Sequence, residues 1–465
     1  MNPGPDSRPL AEEICRTLRT NGHQAFLVGG CVRDLLLGRE PADYDVSTDA
    51  IPARIEELFP DSLTVGAQFG VVIVPRDDAQ VEVATFRSDI GYSDGRHPDR
   101  VVFSKTPQED VKRRDFTING LLMDPATGEV LDYVGGRNDL KVGVIRTIGE
   151  PFLRFTEDKL RLARAVRFAA RFGYSIEPLT FTAIKKLAPQ IIQVSPERLR
   201  DELTKILTEG AARRGFELLD DAGILAVVLP EVEKMKGVPQ PPEYHPEGDV
   251  WIHTRMLLEK LPAGCSPTLA WGALLHDIGK PPAYRPASET GDRIRFDGHD
   301  EIGAKMAEAI CRRLHFSNDE TEQITALVAK HMKFKDAPQM RQSTLKRFVR
   351  LPFFDEHLEL HRIDCLSSHR MLGTWEYITR FIEETPPEQV RPQRLLTGED
   401  LQSLGFKPGP AFKEVLNSLE DAQLDGRVKT RDDAIKFVQD EFASIQDSPG
   451  KDLAAGGNKK VAGPP

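Results

Sequence analysis

Long apolar runs are missing from this sequence. No stretch of 18 consecutive apolar residues occurs in its 465 positions, which leaves no candidate for a membrane-spanning helix. The opening residues, MNPGPDSRPLAEEICR, hold no apolar segment of the signal-peptide type and end in charge, so they predict a chain that is not exported. Cysteine is sparse: five residues, at 15, 31, 265, 311 and 365, odd in number and never spaced as CxxC. That pattern excludes a cysteine zinc cluster and fits unpaired thiols in a reducing cytoplasm. No GxxxxGK[ST] loop is present, nor a Rossmann glycine fingerprint, so neither familiar glycine-rich route to phosphate is open. Cationic charge is not in excess either. The chain has 62 Lys and Arg against 72 Asp and Glu, a net charge of -10, which taken alone argues weakly against nucleic acid. The balance is uneven, however: residues 151–205 carry eleven Lys or Arg against six Asp or Glu.

The remaining composition, 40% hydrophobic and 29% charged, is that of an ordinary soluble protein. The length exceeds what one core holds and predicts three or four domains. Apolar spacing predicts a helix over 10–22. AFLVGG reads as a strand entering a glycine turn, and 31–37 as a helix stopped by Gly38. DYDVST reads as a strand with Asp43 and Asp45 on one face. FGVVIVP and QVEVATF read as consecutive strands, DFTINGLLMD as a helix or strand edge, and EVLDYV and VGVIRTI as short strands. Residues 1–149 therefore predict a mixed α/β domain with a small sheet.

From 150 the pattern turns helical. Leu160, Leu162, Val166 and Ala169 repeat at helical spacing, with arginines at 161, 164, 167 and 171 nearby. The helical segment is expected to run over 150–240. Pro241, Pro242 and Pro246 mark a linker to a second helical domain over 248–375. PPEQVRP marks another break before a small helical module over 386–446. The Gly/Ala/Pro/Lys-rich tail, 447–465, is expected to be disordered. The fold class is α+β.

Two groups of residues carry chemistry. In VGGCVRDLLLGREPADYDV, Gly29 and Gly30 let backbone amides approach phosphate. Arg33 can neutralise it and Asp34 orient it. Asp43 and Asp45 can bridge two divalent cations beside a triphosphate. Glu82 is a possible third carboxylate, or an ion-pair partner of Arg87 or of the arginines at 113–114. Taken singly, a GG before a helix is ordinarily a turn, and a DxD is ordinarily solvated surface. In sequence order they point to nucleotide chemistry. Asp158 and Arg161 stand three residues apart, which on a helix places them on one face. Such a pair can read the edge of cytosine or adenine, or form a plain surface ion pair. Arg164 and Arg167 would then support the base or the triphosphate. SPERLRDEL starts a helix with Ser195 as cap, where Arg198 and Glu202 read as framework.

The second group is ordered His253, His276-Asp277, Asp364, with His299 and His331 able to complete a second metal or touch phosphate. LLHDIGKP places the His-Asp pair on a helix, with Lys280 one turn beyond as a phosphate contact. Imidazole and carboxylate together suit Ni²⁺, Mn²⁺, Fe²⁺ or Mg²⁺. Lone histidines are usually structural; His315, His357, His361 and His369 have no equal claim, though His361 lies one turn before Asp364.

The glycine–DxD segment resembles motif A of the class II tRNA nucleotidyltransferases and bacterial poly(A) polymerases, within the polymerase-beta-like nucleotidyltransferase superfamily. RRDFTIN, containing Arg113, Arg114, Asp115 and Asn119, resembles that family's nucleotide- and sugar-recognising motif B. LDYVGGRNDLKVGVIR resembles its head–neck hinge, EDKLR its motif D, and SPERLRDEL its motif E. The similarity runs almost continuously over 25–205. The histidine–aspartate set resembles the HD phosphohydrolase superfamily. LLTGEDL with Gly405 and Pro408–Phe412 resembles the tail of bacterial members, implying an RNA anchor with Arg391 and Arg394 as nearest cations.

The resemblance implies a nucleotidyltransferase head, an all-helical neck, an HD domain and a helical tail. It implies Mg²⁺ at Asp43 and Asp45, CTP and ATP as substrates, tRNA as partner, and no membrane. The expected reaction is addition or repair of a 3'-terminal CCA, with phosphohydrolysis of RNA-end or cyclic phosphates at the HD set. An A-adding enzyme, a poly(A) polymerase, or a protein whose main activity is HD hydrolysis are the alternatives. The oligomeric state is not legible.

Overall fold

The computed structural model describes residues 7–63, 70–91, 99–243, 245–246 and 248–443. The tail expected to be disordered, 447–465, lies outside the described residues.

A helix, Arg8–Thr20, opens the chain and buries Leu10, Ile14 and Leu18. Ten strands follow: β1 (Ala25–Val28), β2 (Asp45–Thr48), β3 (Val71–Arg76), β4 (Ala79–Thr85), β5 (Arg87–Ile90), β6 (Arg100–Phe103), β7 (Leu121–Met123), β8 (Val130–Asp132), β9 (Val144–Ile145) and β10 (Ser175–Ile176). Six of them form one sheet in the order β3-β4-β2-β1-β7-β8. Within this sheet, among the described residues, only β2 and β4 pair parallel; their register sets Asp45 opposite Glu82. The sheet is therefore mixed, as its expected composition required. Val28, Phe86, Val111, Leu122 and Ile148 form a core cluster on it. The β5–β6 hairpin has no counterpart in the sequence reading.

Two expectations change. Asp43 precedes the edge of β2 instead of lying in the strand. EDKLR does not sit within one helix: a helix ends at Glu157, Asp158 is extended (φ −146, ψ 108), and the next helix runs Leu160–Phe172. The break is held from inside by Lys159, whose buried ammonium donates to the Thr156 carbonyl at 2.8 Å.

The helix Leu160–Phe172 buries residues almost all round, including Leu162, Ala165, Val166, Phe168 and Ala169. Such a helix is a central element with neighbours on every side. Helices Pro196–Thr208 and Ala212–Asp221 pack on it. Further on come Val250–Leu258, Pro267–Leu275, His299–Arg313 and Asn318–Lys330. No helix is long and apolar enough to cross a membrane among the described residues.

Residues Met1–His331 and Ile363–Arg370 form one compact unit; Met332–Arg362 and Met371–Pro465 form another. The second unit has two apolar clusters. One gathers Phe334, Leu345, Phe348, Phe354 and Ile378; the other gathers Leu396, Leu401, Phe406, Val415, Leu419 and Val438. Lys346 donates to the Leu424 carbonyl at 2.8 Å, and Arg350 pairs with Glu420 at 2.8 Å.

Candidate active sites

At the end of β1 the chain must turn at once into the helix Gly30–Leu36. Gly29 does this with φ +80, and a Cβ there would meet Arg114 Nη1 at 3.2 Å. A side chain is thus disfavoured twice, by backbone and by space. The turn opens into a cavity of about 500 Å³ lined by Gly29, Gly30, Arg33, Asp43, Asp45, Arg113, Arg114, Asp115, Asn119, Asp158, Arg161, Arg164, Arg167 and also Arg198. Glu82 is not among its lining residues but faces Asp45 across the strand pair.

Burial, then the neighbouring charges of Asp43 and Glu82, push the Asp45 carboxyl up to about 7, against the opposing charge of Arg114. Three crowded carboxylates with one of them half-buried are what a divalent cation relieves. Asp43 and Glu82 are exposed while Asp45 is half-buried.

The arginines divide by how they are held. Arg33 is buried, and its donors are committed: Nε and Nη2 to Asp34 at 2.8 and 2.9 Å, Nη1 to Asn119 at 2.7 Å. Its guanidinium also lies over Phe172, 4.8 Å from the ring centre. It shapes the cavity wall more than it offers a free charge, and Asp34 orients Arg33 where a phosphate was expected. Asn119 continues to Asp115 at 3.1 Å, and Asp115 accepts from Arg164 at 2.7 and 3.0 Å. Burial would raise the Asp115 carboxyl, but Arg164 and Asn119 hold it at about 2. Arg167 is buried and paired with Glu202 at 2.7 Å and Glu209 at 3.0 Å.

Asp158 and Arg161 meet the same cavity from two elements instead of one helix face. Asp158 accepts from Leu160 N at 3.0 Å and from Arg198 Nη2 at 2.7 Å. Arg161 donates to Glu157, to the Arg154 carbonyl and to the Arg113 carbonyl at 2.8, 3.1 and 3.1 Å. Arg198, read as framework from sequence, is a direct partner of Asp158. Ser195 stands at the N-cap of its helix without a side-chain cap bond.

One residue here was missed by sequence. Asp110, on the short helix Pro107–Lys112, has no exposed surface. Its Oδ1 accepts from Arg113 Nε at 2.8 Å, and its Oδ2 from Arg114 Nη2 at 3.1 Å and Ser47 Oγ at 3.2 Å. Burial alone would raise its carboxyl; Arg114 and Arg113 hold it below the usual range. Asp110 thus aims both arginines of RRD. Its signal was a carboxylate one helical turn before an Arg-Arg pair.

The second centre forms at the mouth of several helices. His253 lies in Val250–Leu258. His276 and Asp277 follow the end of Pro267–Leu275, in the turn leading to Lys280, and are not within the helix as expected. His299 opens its helix and His331 closes one. His253 Nε2 lies 3.0 Å from Asp364 Oδ1 and 3.9 Å from Asp277 Oδ2. His276 Nε2 lies 3.1 Å from Asp277 Oδ2. On the other carboxylate oxygen, His299 and His331 Nε2 stand at 3.6 and 3.7 Å. Two ligand groups result, His253-His276-Asp277 and Asp277-His299-His331. Lys280 Nζ lies 2.7 Å from Asp277 Oδ2 and donates to Gln240 Oε1 at 2.6 Å.

The imidazoles are oriented for ligation. Nδ1 of His276, His299 and His331 faces the carbonyls of Ala273, Phe296 and Val328 at 2.9, 2.8 and 2.7 Å. Each Nδ1 must then carry a proton, and on His299 and His331, whose burial favours the neutral ring, that leaves Nε2 as a lone pair. His299 and His331 point those atoms at each other, 3.2 Å apart. Burial lowers the His299 imidazole and takes that of His331 down to about 4. Burial would raise Asp277, yet His276 and Lys280 hold it well below the carboxylate range. The neutral imidazoles of His299 and His331 beside the Asp277 carboxylate are the donor set of a divalent metal.

His361 stacks on Phe334, centroids 4.4 Å apart. Two residues near the second centre were missed. His245 meets the His253 ring edge-on at 4.9 Å, and Gln240 meets Lys280. Both lie in or beside the proline-rich stretch read as a linker. In the second unit, Thr397 and Asp400 form a reciprocal capping box at the start of Gly398–Ser403, and Arg391 donates to the Arg350 carbonyl at 3.3 Å.

The "Poly A polymerase head domain" family matches residues 25–146, the "Probable RNA and SrmB-binding site of polymerase A" family 173–236, and the HD domain family 248–352. A CCA-adding enzyme of Geobacillus stearothermophilus is 42% identical over 213 residues, 46% of this chain and 52% of that enzyme; the match thus spans about half the length of that relative. A CCA-adding enzyme of Leuconostoc mesenteroides is 30% identical over 441 residues, 94% of this chain and 97% of the relative. The crystal structure of the Bacillus stearothermophilus CCA-adding enzyme in complex with CTP superposes with a TM-score of 0.73 at 25% identity, covering 95% of this chain and 98% of that one. By its head, its helical architecture, its HD domain and a full-length relative, the chain belongs to the CCA-adding enzyme and poly(A) polymerase family with an HD domain.

Proposed function

We propose that this chain is a tRNA nucleotidyltransferase that adds or repairs the 3'-terminal CCA from CTP and ATP. The observation that carries the reading is one cavity holding the glycine turn, Asp43 and Asp45, the arginines of RRD, and both Asp158 and Arg161. Candidate triphosphate-binding and base-reading groups thus line a single space. The fit of the head to a Mg²⁺ centre rests on the grouping of Asp43, Asp45 and Glu82, where burial first and then the two neighbouring carboxylates lift Asp45 to about 7.

In this reaction the 3'-hydroxyl oxygen of the RNA bonds to the α-phosphorus, the bond to the β-phosphate breaks, and pyrophosphate leaves. Mg²⁺ at Asp43 and Asp45 supplies charge neutralisation on the reacting oxygens when bound. Gly29 and Gly30 let the triphosphate approach the backbone. Arg113 and Arg114, aimed by Asp110, neutralise its charge. The Asp158 carboxylate accepts from the exocyclic amine shared by cytosine and adenine, and Arg161 donates to the ring edge. Arg198 and the Leu160 amide hold Asp158 still for that task.

The test uses purified protein with Mg²⁺ and tRNA transcripts ending at the discriminator base, at C or at CC. Each is given CTP, ATP or both, and products are read at single-nucleotide resolution. Completion of CCA from the bare end is the expected result. Addition only to the CC end makes it an A-adding enzyme, and long adenosine tails make it a poly(A) polymerase.

The HD set is read as a metal-dependent phosphohydrolase for RNA-end or 2',3'-cyclic phosphates. The facing Nε2 lone pairs of His299 and His331 fit a divalent ion, which when bound polarises a phosphoryl oxygen. Asp277, whose two oxygens each face a different pair of imidazoles, would hold such an ion together with them. Release of a 2',3'-cyclic phosphate end from RNA by manganese- or nickel-loaded protein, abolished in Asp277→Ala, is the expected outcome.

A further inference from the structure

The residues on either side of the proline-rich stretch are tied together. Pro239 bridges Asp249, and Val250 N donates to the Val238 carbonyl at 3.1 Å. Gly237 N donates to Asp249 Oδ2 at 2.8 Å, while Asp249 Oδ1 caps the helix Val250–Leu258 through Ile252 N at 2.7 Å. With both ends pinned, the loop reaches the HD centre at two points. His245 touches the His253 ring. Gln240, 4% exposed, accepts from Lys280, itself 6% exposed.

The lysine ammonium can only donate, so it fixes which way the Gln240 amide faces. Oε1 is turned to Lys280, which leaves Nε2 as the free end of the same amide. That Nε2 is enclosed and has no hydrogen-bond partner among the described residues. An enclosed donor left unmade costs more than an ordinary hydrogen bond contributes, so a retained one asks for an acceptor. A glutamate at 240 would hold Lys280 more strongly, but would turn an anionic oxygen where the amide turns a donor. The neutral amide is the side chain that both steadies Lys280 and still donates.

We propose that Gln240 Nε2 and Lys280 Nζ together form an oxyanion site for the phosphoryl group of a phosphate monoester or cyclic phosphate at the HD centre. The proposal rests on the phosphohydrolase reading of that centre. The non-bridging oxygens of the ligand supply the acceptor that Nε2 lacks and share the Lys280 charge with Asp277.

The test uses full-length protein loaded with Mn²⁺, inorganic phosphate as probe, and titration calorimetry, with bound manganese counted by elemental analysis. Gln240→Glu keeps an acceptor for Lys280 and removes the donor; Gln240→Met removes both without adding charge. Both variants are expected to keep wild-type manganese and to bind phosphate about tenfold more weakly or worse, the loss of a hydrogen bond to a charged acceptor. Unchanged phosphate affinity with manganese retained overturns the proposal. Loss of manganese in Gln240→Glu overturns it too, because Gln240 is then a strut for the metal ligands. If the wild-type protein takes up manganese but no phosphate, the phosphohydrolase reading fails and the proposal falls with it; that result is distinct because it appears before any variant is made.

Discussion

Asp45 carries the largest consequence of any single side chain in the head. Its carboxyl is lifted to about 7 from an ordinary value of 3.8, by burial first and then by Asp43 and Glu82. A carboxyl whose folded pKa is raised binds more protons folded than unfolded between those two values. In the absence of divalent ions, stability from this group is therefore present at low pH and is lost as pH rises from about 4 to about 7. Mg²⁺ competes with the proton, so its stabilising effect should grow over the same window. Thermal unfolding with and without Mg²⁺ from pH 4.5 to 8 checks this; in Asp45→Asn the Mg²⁺-dependent difference should disappear. Asp110 acts one step back. Asp110→Asn should lower kcat/KM for CTP and ATP alike by about 10- to 100-fold, since it loosens charge-assisted bonds to both arginines. In an Arg114→Ala background the same substitution should cost much less, whereas a purely structural Asp110 would cost the same in both.

At the scale of elements, the close approaches are informative. Gly279 follows the His276-Asp277 turn, and a Cβ there would meet the His299 carbonyl oxygen at 2.1 Å and Gly303 N at 2.6 Å. Neither is a movable side-chain end, so Gly279→Ala should destabilise by roughly 3 kcal/mol and separate His276-Asp277 from His299. A fall in thermal midpoint together with lost manganese binding is the expected readout. The strands at 25–28, 45–48, 71–76 and 79–85 were legible because short apolar or β-branched segments are bounded there by turn residues. The β5–β6 hairpin was not, because RSDI and RVVF carry charge at positions that a half-buried strand usually fills with apolar residues. The break at Asp158 was hidden for another reason. Helical apolar spacing continues across it, and the interruption shows in the extended backbone of Asp158 and in the buried Lys159 ammonium turned back to Thr156. Gln240 and His245 were hidden because prolines around them read as a tether, while the pinning contacts Pro239–Asp249 and Gly237–Asp249 join residues ten or more apart.

At the scale of the whole molecule, sequence order gave the sequence of parts: a mixed-sheet head, helical segments and an HD set. Net charge was a poor guide. The cations that line the head cavity, among them Arg33, Arg113, Arg114, Arg161, Arg164, Arg167, Arg171 and Arg198, are a local concentration inside a chain of net charge -10. The two centres share no side chain, since the head residues lie within 29–198 and the HD ligands within 253–364. Asp277→Ala should therefore abolish phosphohydrolysis and leave nucleotide addition to tRNA within about twofold of wild type, a difference too small to mark a lost catalytic contact. The central claim is that a protein surface, with no template, reads the incoming base through Asp158 and Arg161. The most direct measurement is end-resolved extension of tRNA ending at the discriminator base, with CTP and ATP in competition, by the wild-type protein and by Asp158→Ala. The account predicts ordered CCA from the wild type, and from the variant slow, mixed incorporation of C and A at each position. Faithful CCA synthesis by Asp158→Ala would contradict it.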